Sequence, residues 1–198
     1  MKLKFLFNPF KKIAGPQALW VGWAIMLLSG FIAFLVHSRY NGVLDFHFLP
    51  KSAEISALSI LDTFISWLLL ALVLILFGAI GSKSKFRWID VLGTTALAKC
   101  PLILEPIIGV LFGVNQIEFS QEVLLELANS GSSDAIMSEI PVLLGSGLLM
   151  LLCIVWYIVL LYNAYVVSTN VKKPASVVTF IFALIIAEVI GMYVFTQI

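Results

Sequence analysis

Four ionisable side chains, Asp62, Lys99, Glu105 and Glu188, and one amide, Asn163, interrupt otherwise apolar runs of this sequence. A charge deep in a membrane helix costs several kcal/mol unless it is paired, reaches the interface or changes protonation, so such groups are where protons or cations would be handled. The stretch ALAKCPLILEP, residues 96–106, adds two helix breakers to two charges. Pro101 lacks the N–H that the carbonyl of Leu97 needs, and Pro106 does the same to Leu102. Kinks at these prolines with freed carbonyls beside charges imply a polar pocket wall or a hinge. Irregular backbone at that depth is tolerated only inside protein or beside water.

Spacing limits which groups can meet. At a rise of ~1.5 Å per residue, Lys99 lies roughly 13 Å and Glu105 roughly 22 Å from Asp90, and Glu188 roughly 20 Å from Ala175. Lys99 and Glu105 are six residues apart, about 120° around an ideal helix, which rules out the usual helix-surface pair. Helical side chains lean toward their own N-terminus, so Lys99 is expected to snorkel to the nearer headgroups and Glu188 to lean toward its depth. Two arrangements remain open. The glutamates are neutral and hydrogen-bonded across a bundle, or Glu188 joins Lys99 or Glu105 in a cluster lining a cavity. Asp62, near the outer end of its span, is expected to be solvated.

The elements that carry these groups follow from composition. The chain of 198 residues is 61% hydrophobic and 12% charged, against about 25% charged in soluble domains. Its mean hydropathy is +1.08. The expected fold is all-α, a single polytopic membrane domain with five transmembrane helices over residues 17–36, 58–80, 90–113, 141–167 and 175–196. Continuous apolar runs, not ten-residue alternation, exclude a transmembrane barrel. The basic segment 1–16 and the length of the first run exclude a cleavable signal. With five crossings, Lys2, Lys4, Lys11, Lys12, Lys83, Lys85, Arg87, Lys172 and Lys173 fall on one side, and only Arg39 and Lys51 on the other. The positive-inside rule then puts the N-terminus in the cytoplasm, the C-terminus outside and the protein in the plasma (inner) membrane.

The flanks have their own signals. FNPFKKIAGP is expected to form a short interfacial helix, started at Asn8 and Pro9 and ended by Gly15 and Pro16, with Phe5, Phe7, Phe10 and Ile13 in the bilayer and lysines against anionic lipid. Pro141 and Pro174 fit helix starts. Trp20, Trp23 and Trp88 suit aromatic belts. The acidic outer loop 114–140 is read as a lid of short amphipathic helices, one capped by Ser120. GVLFG at 109–113 suits close helix packing, and Cys100 and Cys153 are expected as free thiols. No cofactor or metal pattern appears: the loop acids lack calcium-loop spacing, and there is no HExxH. Ser146 lacks a nucleophile elbow, and His37 and His47 lie in the first outer loop. Enzymatic function and nucleic-acid binding are not expected.

Several stretches resemble the Yip1 family of small five-span membrane proteins: NPF before the first span, DVLGTTALAKCPLIL opening the third, and WYIVLLYNAYVVSTNVKKPASVVTFIFALIIAEVI across the fourth and fifth. The resemblance implies a five-helix bundle of non-enzymatic role, organising membrane or membrane-protein partners, with homo-oligomerisation among the options. Eukaryotic members of that family act in the early secretory pathway with Rab-type GTPases. They carry a long cytosolic N-terminal region and an acidic-Leu-x-Gly-Pro motif. Both are lacking here, where DVLGT is the nearest match, so the chain is similar to the short prokaryotic-type members and no Rab partner is carried over. The alternative function is a small transporter or channel for a cation, proton or small solute using Lys99, Glu105 and Glu188. The five-span reading predicts that a cysteine at Ser133 is labelled by an impermeant reagent from outside only; labelling from the cytoplasm would overturn it.

Overall fold

The computed structural model describes residues 3–49, 58–113 and 134–197. The expected helix at Ser120 and most of the acidic loop lie outside these residues. A short helix α1 (Leu3–Phe7) and a 3-10 turn (Pro9–Lys11) lead into α2 (Gly15–Leu35). A hairpin of β1 (Ser38–Tyr40) and β2 (Phe46–Phe48) precedes α3 (Leu58–Gly81). The third span is broken into α4 (Trp88–Ala98), a 3-10 turn (Cys100–Ile103) and α5 (Leu104–Leu111). Helices α6 (Asp134–Thr169) and α7 (Ala175–Phe195) complete the chain. The fold is nearly all-α, with five helical segments among the described residues long and apolar enough to cross a membrane.

The helix limits correct three proline expectations. Gly15, at φ 58°, and Pro16 do not end the N-terminal segment but open α2. Proline's fixed φ suits a first helical turn, where no N–H partner is lost. Pro141 does not start the fourth span; it sits inside α6, which begins at Asp134. The 36 residues of α6 make roughly 54 Å of helix, longer than the ~30 Å hydrocarbon layer. In the third span the two prolines do more than kink: they replace a full turn by 3-10 helix. Pro174, as expected, stands at the start of α7.

The broken third span is the centre of the molecule: 67% of its apolar window is buried, against at most 33% in the other four. Its closest neighbour is α2. A Cβ added at Gly22 would lie 2.5 Å from the Ala96 backbone, and one added at Gly93 would collide with the Gly15 carbonyl. Small residues let these backbones approach, which gives dispersion contacts where lipid offers no hydrophobic drive. Phe10 is buried against this core instead of entering the bilayer, while Phe7 is exposed. Trp20 and Trp88 are exposed, as an interfacial belt requires, but Trp23 stacks edge-on against Trp67 and Phe64. Cys100 and Cys153 are free.

The antiparallel hairpin pairs Ser38 with Phe48, Arg39 with His47 and Tyr40 with Phe46. It folds back into the bundle opposite the N-terminal face. Phe48 seats its ring on Gly109 of α5, and Gly42 packs on Gly191 of α7. Gly109 thus receives an aromatic ring, not a helix, and Gly113, at φ 70°, follows the end of α5 in the left-handed conformation common there. The close α2–α4 approach predicts that Gly22→Ala and Gly93→Ala each destabilise the protein by about 1–3 kcal/mol. Gly147→Ala, with nothing within 4 Å of the new methyl among the described residues, should leave the melting temperature in detergent unchanged or raised.

Candidate functional site

The break in the third span is built from both sides of its prolines. Lys99 closes α4, and Glu105 lies in the first turn of α5. A cation at a helix C-terminus and a carboxylate at an N-terminus both complement the helix dipole, worth about 0.3–1 kcal/mol each at exposed sites. Pro106 leaves the Leu102 carbonyl without its helical donor, as its position predicts, and the hydroxyl of Tyr40 donates to that carbonyl at 3.2 Å. Ser29 Oγ lies 3.4 Å from the same hydroxyl. Burial, and secondly the Glu105 charge, raise the Tyr40 hydroxyl well above its ordinary pKa, which keeps its proton available for donation.

Lys99 does not snorkel. It is 2% exposed, walled in because its span is the central one. Its Nζ donates to the Thr63 carbonyl at 3.2 Å and to Ser66 Oγ, and lies 5.3 Å from the centre of the Tyr40 ring. The ring face adds a cation–π attraction that strengthens as water is excluded. Ser59, Asp62, Thr63 and Ser66 are all buried on α3. Their spacing of three and four residues places them on one helix face. Trp67 extends this polar seam, donating through Nε1 to Thr95 Oγ1 at 3.1 Å and to the Leu92 carbonyl at 3.3 Å.

Asp62 is not solvated either. It is 0% exposed and accepts two bonds from Arg39 of β1, from Nε at 2.9 Å and Nη2 at 3.3 Å. Glu188 anchors the other end of the hairpin: its Oε2 accepts from the backbone N–H groups of Val43 and Leu44 at 2.9 and 3.0 Å. Glu105 differs from both. It is 1% exposed, and neither carboxyl oxygen has a hydrogen-bond partner among the described residues. The Tyr157 hydroxyl on α6 is buried and unpartnered in the same sense.

Lys99 and Glu105 are buried in the bundle, whereas Glu188 is half-buried beneath the hairpin. Lys99 and Tyr157 each lie within electrostatic range of both carboxylates. No direct ion pair joins Lys99 to Glu105 among the described residues, in keeping with their six-residue spacing. Asn163 belongs elsewhere: its Nδ2 donates to the Phe7 carbonyl at 2.9 Å and the Val159 carbonyl at 3.0 Å, tying the N-terminal segment to α6. The sequence marks Arg39 only as a base of the first loop, and does not mark Tyr40, Ser66 or Tyr157 as candidates for the site. The three- and four-residue recurrence of Ser59, Asp62, Thr63 and Ser66 was a readable signal for the α3 face; Tyr40, in a loop, had none.

Fold and site define a class: five membrane-length helices around a central span broken at buried polar groups. No family model, curated protein or solved structure matches the chain, so the resemblance to the Yip1 family gains no support from comparison. The bonding pattern predicts that Tyr40→Phe, which removes the hydroxyl donor to the Leu102 carbonyl, costs about 1 kcal/mol. Arg39→Ala, which strands a buried carboxylate, should cost about 3 kcal/mol. Glu188→Gln keeps an acceptor oxygen for the hairpin and should be milder than Glu188→Leu. Melting temperatures in one detergent check all four.

Proposed function

We propose that this protein is a non-enzymatic multi-pass membrane protein that passes protons through its bundle, with Glu105 as the group that takes up and releases them. The observation that carries the reading is the buried Glu105 carboxyl, set at a break in a spanning helix with both oxygens lacking a hydrogen-bond partner among the described residues. An unpartnered carboxylate in a low-dielectric interior needs a compensating proton, cation or water. Lys99 lies within electrostatic range, and an ammonium there repels a metal ion, which leaves the proton as the favoured cargo. Broken membrane helices with charges at their inner ends are the usual setting of transport sites.

Lys99 and Glu188, two of the three groups expected to line such a route, already have hydrogen-bond partners. In this reading they shape the site electrostatically and hold it together, and Glu105 alone cycles. In this reading the basic face of the protein lies in the cytoplasm, by the positive-inside distribution of lysines and arginines, and the host membrane is the plasma (inner) membrane. The test is proton flux into liposomes under an imposed gradient, followed by a trapped pH-sensitive dye. Wild type should exceed empty liposomes, Glu105→Gln should fall to their level, and Glu188→Gln should retain flux. Equal flux in wild type and Glu105→Gln, or none in either, sinks the proton reading and leaves the organising role expected of a Yip1-type protein.

A further inference from the structure

A recess of about 390 Å³ opens where the α3–α4 loop meets the α6–α7 turn. Lys83 and Ser84 line it from the first loop, and Asn170, Lys172 and Lys173 from the second. No acidic side chain is among the described residues lining it, and none of the three lysines makes an ion pair among the described residues. The loop bases are packed together: a methyl on Gly81 would lie 3.2–3.3 Å from Thr179 and Val171. The helix ends therefore bring the two lysine-bearing loops side by side.

The recess is also placed at an edge between polar and apolar surface. Ile80, next to Gly81 on α3, is 71% exposed, and Val178, on the first turn of α7, is 52% exposed. A ligand seated there has three lysines in the lining and exposed aliphatic side chains on the adjoining helix turns. Free phosphate would use only the first. We infer that this recess binds the phosphate headgroup of an anionic membrane lipid, with its acyl chains running down the α3–α7 surface. Basic pockets between helix ends on one side of a membrane protein favour such headgroups, at about 1 kcal/mol for each lysine near the surface.

The experiment is lipid retention by native mass spectrometry, using purified full-length protein with short-chain phosphatidylglycerol, phosphatidylcholine or inorganic phosphate. Wild type should retain phosphatidylglycerol and not phosphatidylcholine. The K83Q/K172Q/K173Q variant should bind it roughly a hundredfold more weakly. The K12Q/K85Q/R87Q variant removes the same charge from the same face outside the recess, and should bind like wild type. Unchanged retention in the first variant overturns the proposal. Equal loss in both variants also overturns it, because the binding would then be diffuse attraction. Displacement of the lipid by an equal concentration of inorganic phosphate would assign the recess to free phosphate and overturn the lipid. Matching melting temperatures of the variants without lipid establish that each is folded.

Discussion

Hydrocarbon offers no hydrogen bonds, so a helix that breaks inside a membrane must find every partner within the protein. That constraint organises this molecule. Pro106 deprives the Leu102 carbonyl of its i+4 donor, so a donor from another element stabilises the break. The hairpin supplies it through Tyr40. The hairpin has the same problem in reverse: the N–H groups of Val43 and Leu44 at its tip need acceptors, and Glu188 supplies them from α7. Break and hairpin each satisfy what the other lacks or lean on a helix that does.

The charges obey the same rule. Lys99 is held by a carbonyl and a hydroxyl of α3, and Asp62, from the same polar face, is held by Arg39. Burying an ion pair is not by itself stabilising, since desolvation offsets much of the attraction. What the pair secures is register: β1 is fixed to α3 at one place, and Tyr40, the next residue, is thereby aimed at the break. Against this background, Glu105 is a buried carboxyl with no partner among the described residues, like the unpartnered Tyr157 hydroxyl, Asn8 Oδ1 and Trp23 Nε1, and each such group calls for an explanation.

Much of the architecture was readable from sequence because it rests on hydropathy. Five runs of membrane length, the break at Pro101 and Pro106, and the freed Leu102 carbonyl follow from apolar patterning and proline chemistry. The placements of Lys99 and Asp62 did not, because depth along a helix says nothing of which neighbours wall it in. Lys99 had the length to snorkel and lacked the route; Asp62 was near an end and met an arginine from a loop. Residues 46–48 alternate Phe, His and Phe, but so short a hairpin is stable only through what it docks on, and that docking is tertiary. Asn163 looked like a member of the cluster by hydropathy alone, whereas it serves the N-terminal segment.

The two halves of the third span answer to different neighbours. Helix α4 lies backbone to backbone on α2 through Gly22 and Gly93, whereas α5 carries the seat of Phe48 at Gly109. The 3-10 turn between them, with Lys99 on one side and Glu105 on the other, is the joint. The hairpin contacts the joint and α5, while α4 is braced by α2. The hairpin thus touches the third span on both sides of Glu105, through Tyr40 at Leu102 and Phe48 at Gly109.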